Sequence, residues 1–290
     1  MISALLQRSR RGSAPRFIAI ELGVLALCSV AHAQTVYSGA GVSAASITPT
    51  VVDFRNALGT LNANVAGSFA GGRREINWDG VPDSFAAPNN LPANFFNVNS
   101  PRGVVFATPG SGFQVSANAV NPTSTPIEFG NIDPAYPTFF APFSAQRLFT
   151  AIGSNVVDVN FFVPGSAQGA LTRGFGVVFS DVDLANTTSM SFFGAAGNLL
   201  GTYFAPASGG QEGFSFLGVD YGVASVSRVR ITSGNQALAA GSTNLDIVAM
   251  DDFIYGEPLV AIPEPETYAL LLGGLGALAW RARRRGAAPA

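Results

Sequence analysis

Between residues 34 and 261 the chain offers carboxylates, guanidinium groups and tyrosines for chemistry, and little else. Fifteen Asp and Glu side chains there face eight Arg, a net charge of −7. Lys is absent from the whole chain, and the one His (His32) and the one Cys (Cys28) come before this stretch. Without imidazole, thiol or ammonium groups, Ser-His-Asp and Cys-His catalysis, Schiff-base chemistry and a usual zinc site are excluded. A pair of carboxylates is the acid–base device left, which points to glycoside hydrolysis as the enzymatic alternative. The acidic balance argues against nucleic acid and against an anionic membrane surface as partners.

Three places carry the candidate chemistry. In Asp181-Val-Asp183, alternate residues of an extended strand point the same way, so both carboxylates share a face. With Asn186 nearby, this grouping suits Ca²⁺, a cation that takes oxygen ligands. The competing expectation is a solvated strand end. Asp251-Asp252 interrupts an apolar closing strand, Ile247–Tyr255. Alternation puts Asp251, Phe253 and Tyr255 on one face and Val248, Met250, Asp252 and Ile254 on the other. Asp252 among apolar neighbours needs a partner. If the first and last strands lie side by side, Glu75 or Asp79 reaches it and a structural Ca²⁺ site forms. The competing expectation is an ion pair with Arg73, Arg74 or Arg228. Trp78, between Asn77 and Asp79, is the best-placed ring for stacking on a sugar, ahead of Tyr136, Tyr203 and Tyr221. Against that stands the ordinary fate of aromatics in a sandwich, which is the core. Fifteen acids make chance pairs common, so the expected function is non-catalytic.

The elements that must position these residues read as short strands. Aromatic and β-branched runs are punctuated by Gly, Ser, Thr, Asn and Pro, with no long helical period. Strands are expected at 73–80, 103–107, 112–117, 147–151, 156–163, 174–180, 188–193, 199–205, 213–219, 226–232 and 247–256. Gly197-Asn198 reads as a hairpin turn. Asp53–Leu58 before Gly59 reads as a short helix with a glycine stop. One domain is expected over 34–261, with a two-lobed division near residue 145 as the alternative.

Both termini read as addresses. Residues 1–16 hold Arg8, Arg10, Arg11 and Arg16 and no acid, and Phe17–Val30 is apolar apart from Glu21 and Ser29. Ala31-His32-Ala33 supplies small residues for signal peptidase, so residues 1–33 read as a secretory signal peptide. At the other end Pro263-Glu264-Pro265 precedes thirteen uncharged residues, Tyr268–Trp280, and then Arg281, Arg283, Arg284 and Arg285. The thirteen residues rise roughly 20 Å as a helix, against a hydrocarbon core of about 30 Å. Terminal Tyr and Trp rings and the arginine stop nevertheless point to a short transmembrane helix with a cytoplasmic end. A buried core helix is the alternative.

Residues 262–285 resemble the PEP-CTERM sorting signal in three ordered elements: Pro-Glu-Pro, apolar helix and Arg cluster. The resemblance implies that an exosortase, an integral-membrane cysteine protease, recognises the tail and cuts near Pro263–Pro265. It also implies transient anchoring in the inner membrane through 268–280 and delivery to the cell surface or an exopolysaccharide matrix. The body is similar to jelly-roll modules of extracellular, often sugar-binding proteins. That similarity rests on Gly174–Asp183, the Phe193–Leu199 hairpin, Phe216–Val219 and Met250–Gly256. It implies an all-β, jelly-roll-like β-sandwich that binds glycan or serves as structure. The Arg73–Pro82 string resembles a signature of uncharacterised secreted bacterial proteins, to which no activity attaches.

Overall fold

The computed structural model describes residues 34–241, 246–261 and 265–285. The expected signal peptide, with Ala31 and Ala33, lies outside them, as do Pro263 and Glu264. In chain order the elements are β1 (Thr35–Gly41), α1 (Ala44–Leu58), β2 (Arg73–Ile76), α2 (Phe95–Val98), β3 (Val104–Ala107), β4 (Gly112–Val115), β5 (Phe149–Ile152) and β6 (Val156–Phe161). They continue as β7 (Ala170–Leu171), β8 (Gly174–Ser180), β9 (Ser189–Phe193), β10 (Leu199–Phe204), β11 (Phe214–Asp220), β12 (Arg228–Thr232), β13 (Ala249–Gly256), β14 (Leu259–Val260) and α3 (Pro265–Arg285).

The strands form two main antiparallel sheets. One runs β1-β11-β8-β13-β5-β4, with β2 also on β13, and the other runs β10-β9-β12-β6-β3. The pairs β9/β10, β8/β11, β6/β12 and β5/β13 are nested: each later strand lies beside its earlier counterpart. Chain from both sides of residue 145 therefore enters both sheets. The inner faces share one core, which includes Phe106, Val159, Phe192 and Ile231 from one sheet and Phe149, Phe175, Val177 and Phe253 from the other. This is a β-sandwich.

β13 is bordered along one edge by β8 and on the other by β5 at Met250 and then β2 from Phe253. Between Met250 and Phe253 its register shifts. The bulge absorbs Asp251 and Asp252 and resets the alternation. Met250, Phe253 and Tyr255 thus all face the shared core, while Ile254 faces the other way. This corrects the simple two-face assignment made for Ile247–Tyr255.

The outer face of the larger sheet is covered by α1. Ile47, Val51, Phe54 and Leu58 recur at helical spacing and are buried against Val178, Phe214, Phe216 and Ile254. Phe54 lies over the cross-strand pair Gly176 and Gly218, where an added Cβ would come within 2.7 and 2.9 Å of its ring. Gly59, at φ 97°, ends the helix and donates its N–H to the Arg55 and Asn56 carbonyls. The glycine stop is as expected, but the helix begins nine residues before Asp53, at Ala44.

A fully buried ion pair ties the irregular chain after α1 to the sandwich. Arg74 and Glu257 side chains have no solvent exposure and join at 2.8 Å. Arg74 also donates to the carbonyls of Ala63, Val65, Gly67 and Pro101. Glu257 accepts from Asn62 Nδ2 at 2.7 Å.

In the tail a helix forms, but no helix among the described residues is long and apolar enough to cross a membrane. The expected span is corrected on length: thirteen uncharged residues cover only about 20 Å. The core-helix alternative fits no better, because Leu270, Leu272, Leu275 and Leu278 are all exposed.

Replacing Arg74 by Ala leaves Glu257 buried and unpaired, and should cost about 3–5 kcal/mol of unfolding free energy. Replacing both by apolar residues of similar volume should cost distinctly less. Urea midpoints of the two variants check this.

Candidate functional site

The bulge in β13 turns two carboxylates toward the loop that leads into β5. Asp251 and Asp252 are 0% and 2% exposed. Ser144 Oγ donates toward Asp251 Oδ1 (3.2 Å) and Asp252 Oδ1 (2.8 Å), and the Phe143 and Ser144 N–H groups donate to Asp251 Oδ2. Burial raises the pKa of both acids, and their mutual repulsion adds to this for Asp251. Asp79 holds the same loop two residues on, accepting the Gln146 and Arg147 N–H groups. The Asp251 carbonyl, at the bulge, is satisfied by Trp78 Nε1 at 3.0 Å.

The first strand pairs with β11 and the last with β7, not with each other; it is β2 beside β13 that brings Glu75 close to Asp252. What stands between them is Arg55 of α1. Its guanidinium binds both Glu75 oxygens at 3.0 and 2.8 Å and Asp252 Oδ2 at 2.9 Å. Arg73 reinforces Glu75 at 2.6 Å. The partner of Asp252 is therefore Arg55, not Arg73, Arg74 or Arg228. These groups line a polar cleft of about 360 Å³ together with Asn62, Asn64, Asn77 and Arg102. Among the described residues no three acidic side chains are arranged to hold a metal ion. Glu75, Asp79 and Asp252 are each hydrogen-bonded to arginines, backbone or Ser144.

Asp181 and Asp183 do not share a strand face. β8 stops at Ser180, and Asp181 turns into the left-handed region at φ 70°. Asp181 is buried while Asp183 is exposed. Asp181 Oδ1 has no hydrogen-bond partner. Burial, followed by the charges of Asp183, Asp246 and Glu212, pushes its pKa up to about 7. Asp246 is held by the Asp183 N–H and the Thr187 hydroxyl.

A second cavity, about 340 Å³, opens beside Trp78. The one-turn helix α2 and the segment 77–85 wall it with Phe85, Phe95 and Phe96, and Asn77, Asn99, Ser100 and Arg102 supply its polar groups. Trp78 itself is not a sugar platform. It is 1% exposed, one face lies flat on Phe149 (centroids 4.1 Å, planes 1°), and Phe253 and Phe96 meet it edge-on. Tyr136 is fully buried with its hydroxyl donating to the Ala239 carbonyl, and Tyr221 is buried as well. Tyr203 is half-buried against the core.

The tail contributes a separate feature. Its helix begins at Pro265, the last residue of Pro-Glu-Pro, and runs unbroken through the apolar stretch into the arginines. Residues 261–285 match the PEP-CTERM protein-sorting motif. The PEP-CTERM motif implies recognition by an exosortase, with export and membrane-associated sorting toward the cell surface. It covers the tail alone. No curated protein and no solved structure matches the chain.

Three participants escaped sequence reasoning. Arg55 had a usable signal: it falls four residues after Val51 and three before Leu58, so it borders the apolar stripe of α1. Ser144 had none, because Asp251 and Asp252 are 107 and 108 residues away in sequence, and nothing local marks Arg102 as the residue shared by the two cavities.

The pH dependence of Asp181 has a definite sign. Its proton is held up to about pH 7 in the folded state but lost near pH 4 in the unfolded chain. Its contribution is therefore favourable below pH 4 and lost as pH rises through about 7. Asp181→Asn should stabilise the protein at pH 8 by on the order of 2 kcal/mol and give no gain at pH 4, read from denaturant unfolding at both values.

Proposed function

We propose that this is an exported surface or exopolysaccharide-matrix protein whose sandwich is a non-catalytic glycan-binding module. Signal peptidase removes the N-terminal segment, and an exosortase releases the tail after it has served as a transient membrane address. The nested strand pairing supports the jelly-roll form of the sandwich. The observation that carries glycan binding is the cavity beside Trp78: the half-buried Phe85 ring offers a face for the C–H side of a sugar, and amides and a hydroxyl stand around it for the sugar oxygens. In the polar cleft Glu75 and Asp252 are both bound to Arg55. Neither is a free acid or base, as a glycosidase would need.

The full-length chain should be retarded in gels containing the producing cell's own exopolysaccharide. Asn99→Ala, at the exposed rim, should weaken retention about fivefold through one lost hydrogen bond. Chelator should change nothing, because the cavity has no carboxylate to hold a metal. Unretarded migration would remove the glycan reading. In the producing cell, Pro263→Ala with Pro265→Ala should leave a longer, membrane-associated form, visible by immunoblot. Normal processing of that variant would remove the exosortase step.

A further inference from the structure

We infer that the cavity beside Trp78 takes a sugar ring bearing a carboxylate, bound by Arg102. This rests on the glycan-binding reading and narrows it to an acidic glycan.

Eight arginines lie between residues 34 and 261. Seven are joined to carboxylates: Arg55 and Arg73 to Glu75, Arg74 to Glu257, Arg147 to Asp83, Arg173 to Asp220, and Arg228 and Arg230 to Asp158. Among the described residues Arg102 alone of the eight has no carboxylate partner. Its Nη1 donates to Ser100 Oγ, its guanidinium lies 5.1 Å over the Phe96 ring, and its Nε is buried with no hydrogen-bond partner. A buried donor left unanswered costs stability, and a charged donor costs more. The positive charge of Arg74 nearby adds to that cost, and both burial and Arg74 lower the Arg102 pKa.

The cavity supplies the complement. Arg102 is the single ionisable residue in its wall. Arg102 also borders the polar cleft of Glu75 and Asp252 but is joined to neither, so its charge is open to a ligand in the cavity beside Trp78. The planar fork of a guanidinium meets a carboxylate through two parallel hydrogen bonds, which gives direction as well as charge. Phe85, half-buried in the cavity wall, takes the apolar face of the ring, and Asn99 lies at the rim for its hydroxyls. A neutral sugar can answer the guanidinium only with single hydrogen bonds from hydroxyl oxygens; a uronic acid residue adds the opposite charge and the paired geometry.

The test compares polygalacturonate with its fully methyl-esterified form, two polymers that differ in the charge of the same group. The full-length protein should bind polygalacturonate at least tenfold more tightly than the ester, and the preference should shrink as salt is raised. Arg102→Gln should lose the preference. So should Ser100→Asp, which leaves Arg102 in place and supplies it with an internal carboxylate, with an unchanged melting temperature as the check on folding. Equal binding of both polymers, with Asn99→Ala weakening both, would overturn the carboxylate assignment and leave glycan binding standing. Undiminished preference in both the Arg102→Gln and Ser100→Asp variants would also overturn it. Failure to bind either polymer and the cell's own exopolysaccharide would overturn both readings.

Discussion

A guanidinium sealed from water must have its protons answered by the protein, and Arg74 sets that condition at the centre of this fold. Glu257, four carbonyls of surrounding chain and the Phe69 ring 5.5 Å away meet it. The irregular segment between α1 and β2 has no sheet of its own to satisfy its backbone. By offering carbonyls to Arg74, it gains a fixed path. The same pair anchors the end of β13 through Glu257, and through the Pro101 carbonyl it fixes the chain just before Arg102. The cavity wall is therefore positioned by an interaction that never touches the cavity.

Arginine carries all the positive charge of this chain, and the consequence is visible throughout. An always-charged group that binds bidentately suits buried pairing better than an ammonium. Asp158 shows the pattern: Arg228 and Arg230, two residues apart on β12, both bind it across the sheet from β6. The acids without arginine follow another rule. Asp251 and Asp79 are answered by backbone N–H groups of the loop before β5. Asp181 Oδ1 has no partner, and burial pushes its carboxyl toward the neutral form.

Strands whose signal is local were legible in the sequence. β8 lies at 174–180, where an apolar run ends in Ser-Asp, and the Gly197-Asn198 turn closes β9 onto β10, with Gly194 N–H donating to the Asn198 carbonyl. β1 and the first half of α1 were not, because Gly, Ser, Thr and Pro there carry weak propensity and packing decides. The site was legible in composition and not in geometry. Alternation predicted faces for Asp181 and Asp252, but a left-handed residue breaks the first and a bulge resets the second. Trp78 was expected to stack on a sugar, but it is sealed among Phe96, Phe149 and Phe253 in the core, and the cavity opens beside it.

The strand that leads to the tail has a mechanical meaning. Tension applied at residue 261 meets first β14, a two-residue strand paired with β7, which can peel a ladder at a time. Beyond it lies β13, laced along both edges by β8, β5 and β2 and clamped at its near end by Arg74. Load carried that far acts on several ladders at once, so the sandwich yields at its hem before its seam. A body tugged from its C-terminal side would keep its fold while the short clip opens and lengthens the leash.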